Sequence, residues 1–315
     1  MDKTSQFSSS FEFIWSQYRI WTATAKRLKR ELTIARIAVL VFTLLGSFTA
    51  ILSQNIAPGS GEVVSKILGW LSATSIAIVG YVGSKILTEE KEKKWLRARA
   101  AAETCKSNSF LYLFRVAPYN TTEDDVILFQ KIETLIRTLS AIPQATLPTQ
   151  EELKGIPPLT FTFANYLEER IRKQAKEYYF PKASQYIKYV KRGSQLGITL
   201  GLIGFLLGSY GASSSTNNIS VWVAFVSTVS ASLTTFLTTN RYQYLSMSFQ
   251  AMGNQLMILW LKGSRIEKND IQSQYDFIRN CEEILATENE AWLTEFNKTE
   301  SKEETETTVA ITPTQ

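Results

Sequence analysis

Three long runs without a charged residue constrain this chain more than any other feature of its sequence. Residues 37–61, 67–84 and 193–240 contain no Asp, Glu, Lys or Arg, although charged residues make up 20% of the whole chain. A helix needs about 17–25 mostly apolar residues to cross the hydrocarbon core of a bilayer. Four segments meet this requirement. They predict a polytopic membrane protein with four transmembrane helices, at residues 34–52, 67–87, 196–212 and 219–239.

The four spans form two hairpins, and the charges around them predict their orientation. Short linkers, residues 53–66 and 213–218, close the hairpins, whereas Lys and Arg cluster at the opposite ends of the spans. Because basic flanks stay in the cytoplasm, we expect a multi-pass protein of the cell inner membrane with both termini cytoplasmic. The basic residues beside the second hairpin would line its cytoplasmic mouth: Lys188, Lys191, Arg192 and Arg241.

The remaining sequence predicts helices, which gives an all-α fold with a cytoplasmic helical bundle. Residues 1–145 and 161–297 repeat one plan of helix, membrane hairpin and helix, and a proline-rich linker at 146–160 separates them. Residues 298–315 form an acidic tail that is predicted to be disordered. In the last helix, apolar residues recur every seven positions, a spacing typical of bundle packing. This bundle seam comprises Ile271, Tyr275, Ile278, Leu285 and Trp292.

The absence of histidine removes most hydrolase classes from consideration. No Ser-His or Cys-His nucleophile pair and no imidazole metal ligand can form. Cys105 and Cys281 lie far apart and are predicted to be free thiols, and the acidic pair Glu282-Glu283 is predicted to lie on a solvated helix face. We therefore expect no enzyme, with no catalytic, cofactor-binding or metal-binding residues. The basic residues are expected to face the lipid bilayer and not nucleic acid.

Six glycines of the third span, from Gly193 to Gly211, recur at spacings of 4, 4, 3, 4 and 3 residues. This spacing places them on one narrow helix face, and the central four form two GxxxG pairs: Gly197, Gly201, Gly204 and Gly208. Because glycine weakens a helix, such a stripe in a membrane indicates close approach of a second helix. That helix could belong to the same chain, which is the simpler explanation, or to a second subunit that helps to build a pore.

The fourth span has one small, hydroxyl-bearing side and one bulky side. The small side includes Ser227, Ala231, Thr234 and Thr238, whereas bulky residues such as Trp222 lie opposite and suit lipid. Hydroxyl groups can bond to a neighbouring helix or to water within the membrane. The small side is therefore predicted either to pack against another helix or to line a narrow water-filled path, and both alternatives stay open.

Several motifs occur in the order found in a known family. In the second half these are residues 166–174 (YLEERIRKQ), Tyr178-Tyr179, Lys182-Ala183, residues 283–285 (EIL) and residues 288–292. In the first half they are residues 95–103 (WLRARAAAE), Lys106 and residues 117–119 (APY). With these motifs, residues 11–297 resemble two tandem units of the SLATT family, which are two-transmembrane effector domains associated with bacterial nucleotide-second-messenger conflict systems.

The resemblance implies a membrane effector in an antiviral conflict system. Such an effector forms or gates an ion-channel-like pore in the inner membrane in response to a cytoplasmic signal. We expect a homo-oligomer in the bilayer, with a cytoplasmic signalling partner or nucleotide messenger and without a cofactor. The alternative is a non-conducting, membrane-anchored sensor or scaffold whose cytoplasmic bundle binds a partner.

Overall fold

The computed structural model describes residues 9–55, 61–158, 160–213 and 219–287. Helices and turns, but no strands, occur within these residues, so the all-α prediction is confirmed. Trp292 and the predicted disordered tail at 298–315 lie outside the described residues.

The elements follow one another along the chain as helices of very different length. They are α1 (Ser9–Asn55), α2 (Glu62–Lys85), α3 (Glu89–Leu113), α4 (Asp124–Thr138), α5 (Thr149–Glu152), α6 (Phe163–Asn165), two π-helical segments (Tyr166–Arg172 and Gln174–Tyr179), α7 (Phe180–Ser213), α8 (Ile219–Thr239) and α9 (Tyr242–Gly263). A further helix, α10, covers residues 271–287.

Four helical stretches are long and apolar enough to cross a membrane: Ser10–Asn55, Glu62–Lys85, Phe163–Ser213 and Ile219–Gly263. They coincide with the four predicted spans, and the prediction of four transmembrane helices is therefore confirmed. The second span is slightly shorter than predicted, because α2 ends at Lys85. Three of the four stretches extend far beyond the roughly 20 residues that a bilayer needs, so their polar ends continue as helix outside the predicted spans.

The chain divides into two compact units, and each takes segments from both sequence halves. Of the described residues, the bundle unit comprises those up to Lys29, Glu92–Arg172 and those from Leu256 onward. The membrane unit comprises Arg30–Lys91 and Lys173–Gln255. The compact units are thus assembled from alternating segments of the chain, and the predicted division into two repeats at residues 146–160 stays a prediction.

Aromatic side chains dominate the core of the bundle unit. Phe110 of α3 lies at its centre, with ring centroids 6.4 Å from Trp15 of α1, 6.0 Å from Phe161 and 5.6 Å from Tyr166. Phe110 and Trp15 are at most 4% exposed, and Tyr166 is fully buried. Since Trp15 and Phe110 precede the proline-rich linker and Tyr166 follows it, both halves of the sequence share one core.

The proline-rich linker packs along α1 inside the bundle unit. Trp15 Nε1 donates to the Lys154 carbonyl at 3.2 Å, and Arg19 Nε donates to the Glu151 carbonyl at 3.1 Å. Just before the linker, the Ala145 amide donates to Thr24 Oγ1 at 2.9 Å. These bonds satisfy backbone groups of a segment that has little regular structure of its own, and they hold it against the first helix.

Candidate functional site

Within the membrane unit, α8 presents its small, hydroxyl-bearing side to the surface. The predicted residues Ser227, Ala231, Thr234 and Thr238 are all exposed, and so are Ser220 and Ala224 on the same side. The bulky side is half-buried at Trp222, Val226, Val229, Leu233 and Phe236. The expectation that the bulky side faces lipid is therefore wrong, because this side packs against the neighbouring helices of the same chain.

Contacts on the bulky side of α8 explain this orientation. The ring of Phe225 lies 5.7 Å from the ring of Phe48 on α1, which joins the two hairpins within the membrane unit. Leu237 covers Gly193 of α7, and Val226 Cγ1 would lie 3.6 Å from a Cβ placed at Gly204. Large side chains of α8 thus fill space that the glycines of α7 leave open.

Hydroxyl groups on the exposed side of α8 bond within their own helix. Ser227 Oγ donates to the Val223 carbonyl at 2.9 Å, Thr234 Oγ1 to Ser230 at 3.0 Å, and Thr238 Oγ1 to Thr234 at 2.9 Å. Each hydroxyl proton is therefore satisfied even in lipid, while the oxygen lone pairs stay free to accept a bond from water. This side can line water without carrying an ionised group.

The glycine stripe of α7 splits into two faces. Gly193, Gly204 and Gly211 face α8, since a Cβ at Gly193 would collide with Leu237 and one at Gly211 would lie 3.1 Å from Ile219 Cγ2. By contrast, apart from the nearby backbone of α7 itself, no atom of the described residues lies within 4 Å of a Cβ placed at Gly197, Gly201 or Gly208. Packing inside one chain accounts for the first face and leaves the second without a neighbour.

The predicted mouth residues lie at the polar end of the second hairpin. Lys188, Lys191 and Arg192 are exposed on α7, one to two turns before the third span. Arg241 lies between α8 and α9 with a φ of 49°, a backbone conformation that interrupts the helix. Beside this break, Arg36 of α1 donates to Asn240 Oδ1 at 3.3 Å, which ties the first hairpin to the junction.

The bundle seam of α10 is only partly buried. Ile278 and Leu285 are at most 2% exposed, Tyr275 is half-buried and Ile271 is 57% exposed. The described part of the buried face continues through Cys281 and Glu282, which are at most 1% exposed. The prediction that Glu282 lies on a solvated face is therefore wrong: it shares a helix face with three buried residues, at positions 278, 281 and 285.

Sequence reasoning missed a buried ion pair, between Arg170 and Glu282, at the centre of the bundle unit. The Arg170 and Glu282 side chains are 0% and 1% exposed. Arg170 Nε donates to Glu282 Oε1 at 3.0 Å and Nη2 donates to Oε2 at 2.8 Å. Tyr166 Oη adds a third bond to Oε1 at 2.9 Å. Paired bonds of this kind fix the orientation of both groups as well as their distance.

Glu103 of α3 extends this network to the first half of the sequence. Its Oε2 lies 3.6 Å from Arg170 Nη1, and its side chain is 29% exposed. Burial disfavours the charged carboxylate, but Lys106, Arg170 and Arg99 outweigh burial and lower the pKa of Glu103. Burial likewise disfavours the Arg170 charge, but Glu282 outweighs it and raises the pKa of Arg170. The network is therefore held in its charged form.

Backbone geometry around Arg170 departs from a regular helix. Tyr166–Arg172 and Gln174–Tyr179 are π-helical segments, which the motif at residues 166–174 did not reveal. π-Helical turns are rare and often occur at functional positions. Tyr166 and Arg170, four residues apart, lie on one side of this segment, where both reach the Glu282 carboxylate. The periodicity of residues 278, 281 and 285 could have identified Glu282, because it shares their face.

These features define an all-helical membrane protein with two apolar hairpins and a helical bundle built around a buried ion pair. Residues 166–292 match the family model described as SMODS and SLOG-associating 2TM effector domain 1. The second half of the chain therefore carries a SLATT-family domain, at residues 166–292. Residues 19–126 match a different model, a protein of unknown function (DUF4231), so the tandem arrangement of two SLATT units stays a prediction. No curated protein and no solved structure matches the chain.

The two matched regions meet in the buried network. Arg170, Tyr166 and Glu282 belong to the SLATT match, whereas Glu103 belongs to the other match. The second hairpin, with the hydroxyl side of α8, also lies in the SLATT match. The SLATT domain of this chain therefore contains both the candidate membrane face and three of the four network residues.

Proposed function

We propose that this protein is an effector of the inner membrane that forms or gates a pore when a cytoplasmic signal rearranges its bundle unit. The exposed hydroxyl side of α8 carries the proposal. A helix that meets only lipid presents bulky apolar side chains, as α7 does with Ile198, Leu202 and Phe205, which are 60–69% exposed. α8 has the opposite arrangement, with its small residues outward, and this favours contact with water or with another protein helix.

A homo-oligomer would be needed to enclose a path along this side. In one chain the hydroxyl side lies on the surface of the membrane unit, so only additional copies can surround it. Closed cyclic symmetry would bring the same side of every copy to a common axis. The unoccupied face at Gly197, Gly201 and Gly208 would allow helices of adjacent copies to approach closely. Both features support the assembly.

Charge at the mouth would then influence which ions pass. The walls formed by Ser227, Thr234 and Thr238 carry no charge, so selectivity would come from Lys188, Lys191, Arg192 and Arg241. A ring of such cations favours anions. The same residues support the proposed orientation, with both termini cytoplasmic, because basic flanks stay on the cytoplasmic side of the inner membrane.

Leakage of carboxyfluorescein from liposomes containing the full-length protein tests this proposal. Wild type is compared with Glu282→Gln, which loosens the bundle, and each is combined with Thr234→Phe to narrow the path. Leu202→Phe on the exposed side of α7 is the matched control. We expect Glu282→Gln to leak faster than wild type, Thr234→Phe to reduce leakage at least tenfold, and Leu202→Phe to change it little. Absence of leakage in every variant, with a monomer in detergent, would overturn the proposal.

One observation favours the alternative of a non-conducting sensor or scaffold. The bundle unit has an exposed apolar patch at Phe13, Val126 and Phe129, which are 38%, 53% and 49% exposed, and the two rings lie 6.4 Å apart. Exposed apolar clusters are typical of protein-binding surfaces. In that case alanine at Ser227, Thr234 and Thr238 would leave cellular activity intact, whereas Phe129→Ser would abolish it. A pore predicts instead that a bulky substitution in α8, such as Thr234→Phe, abolishes activity.

A further inference from the structure

A groove of about 370 Å³ runs between α3 and α4 in the bundle unit, separate from the buried ion pair. Its walls are mainly apolar and include Ile14, Ala101, Ile132 and Leu135. Hydroxyl groups of Thr104 and Thr138 also line it. The volume is within the range of sites that bind small organic molecules, which are largely apolar with a few polar groups.

Two cationic side chains line this groove, and no acidic residue is among the described residues that form it. Lys131 Nζ donates to Asn108 Oδ1 at 3.2 Å, which places its ammonium group near the C-terminal end of the α3 wall. Arg97 lies eleven residues before Asn108, about 16 Å away along the helix axis. The groove thus has a positive charge toward each end and an apolar floor between them.

Among the described residues, neither cation is paired with a carboxylate, although the Lys131 ammonium also lies 5.8 Å from the centre of the Tyr119 ring. Arg97 is exposed and has no ion pair with any described residue, and Lys131 uses one of its three N–H groups on the neutral Asn108 amide. Partial burial lowers the pKa of Lys131, because desolvation disfavours its ammonium group. A bound anion would offset that loss of solvation.

We propose that this groove is a binding site for an organic anion. Its apolar body would lie on Ala101, Ile132 and Leu135, and its acidic group would pair with Arg97 or with Lys131. A metal cation does not fit, since the lining contains no carboxylate. An inorganic anion would leave the apolar walls unused. The site goes beyond the proposed pore and does not depend on whether the membrane unit conducts.

Two fluorescent probes with the same apolar body test the proposal directly. 8-Anilino-1-naphthalenesulfonate carries a sulfonate, whereas N-phenyl-1-naphthylamine is its neutral counterpart. Each is titrated against the full-length protein in phosphatidylcholine nanodiscs, with empty nanodiscs as background. We expect one saturable sulfonate site per chain, at least tenfold weaker in Arg97→Gln or in Lys131→Gln. Binding of the neutral probe should change less than twofold in both variants.

Matched variants separate recognition of charge from loss of fold. Arg137→Gln removes an exposed cation of α4, the helix that carries Lys131, at a position outside the groove. It should leave the binding of both probes unchanged. Thr104→Phe should fill the groove and abolish binding of both probes while circular dichroism is unchanged. Unaltered sulfonate affinity in both Arg97→Gln and Lys131→Gln, or an equal loss of the neutral probe, would overturn the proposal.

An anionic lipid and a water-soluble organic anion both combine an acidic group with an apolar body. A further titration distinguishes between them. The sulfonate titration is repeated in nanodiscs that contain phosphatidylglycerol. Weaker binding by wild type there would identify lipid as the occupant. Unchanged affinity would identify a water-soluble organic anion as the occupant.

Discussion

At the scale of single residues, Arg170 is a fully buried cation at the core of the bundle unit. It makes two bonds to the buried Glu282 carboxylate, and its guanidinium lies 5.3 Å from the centre of the Phe110 ring. Exposed pairs in the same chain, such as Arg137 with Glu133, lie in water and are screened. Arg170 and Arg137 are the same type of residue, but only the loss of the buried one is expected to cost much stability.

Substitution of Arg170 by Ala should lower the free energy of unfolding by about 3–5 kcal/mol, since Glu282 would stay buried without its partner. Arg137→Ala, at a side chain that is 78% exposed, should cost less than about 1 kcal/mol. The double variant Arg170→Met with Glu282→Leu should recover most of the loss. Denaturant titration of the detergent-solubilised protein, followed by tryptophan fluorescence, measures all three. Equal effects of Arg170→Ala and Arg137→Ala would contradict the assignment of a buried pair.

Both cysteines should be unreactive in the folded protein. Burial raises the pKa of Cys105 to about 12, and burial together with Glu282 raises the pKa of Cys281. Because the thiolate is the reactive form, N-ethylmaleimide at pH 8 should label neither residue until the protein is denatured. Ser264→Cys, at an exposed position after α9, is the positive control. Rapid labelling of native Cys105 or Cys281 would show that these helices open readily.

At the scale of elements, contact between helices decides which glycines are required. A Cβ at Gly253 of α9 would lie 2.7 Å from Cε1 of the Phe180 ring on α7, whereas nothing described lies within 4 Å at Gly201. A change from glycine to alanine alters the helix preference equally at both positions. Any difference in stability between the two substitutions therefore reports packing alone. Sequence spacing identified Gly201 and overlooked Gly253, because spacing cannot show whether a partner helix is present.

Gly253→Ala should therefore destabilise the protein by about 1–3 kcal/mol through overpacking. Gly201→Ala should instead leave stability unchanged or raise it by up to about 1 kcal/mol, since alanine favours the helix. Thermal unfolding in detergent measures the difference. If Gly201→Ala proves as harmful as Gly253→Ala in a monomeric sample, the open face of α7 is occupied within the chain.

At the scale of the whole molecule, the buried network joins regions that are distant in the sequence. Glu103 comes from the first half, Arg170 follows the proline-rich linker, and Glu282 comes from the last helix. A change in one member therefore affects segments from both halves of the chain. If the proposed function is correct, this network is where a signal would loosen the bundle unit.

Acid should weaken this unit partly through Glu103. Its pKa is lowered in the folded protein from an ordinary value of 4.5, so its charge stabilises the fold above that value. The stabilisation is lost as the pH falls through the lower, folded pKa. Unfolding measured between pH 7 and pH 3 should show a shallower loss of stability for Glu103→Gln than for wild type. Because Glu103 is partly exposed, the expected difference is modest. Identical pH profiles for the two proteins would contradict a contribution from Glu103.

The sequence by itself determined the all-α class and the four spans. Each of these depends on local composition, and a run of 48 uncharged residues from Gly193 to Asn240 predicts a membrane hairpin whatever surrounds it. The tertiary structure alone decided that α8 turns its hydroxyl side outward, that Gly197, Gly201 and Gly208 face no other helix of the described part of the chain, and that Glu282 is buried with Arg170. The physical reason is that periodicity shows which residues share a face, whereas only the packing of separate helices against one another decides what that face meets.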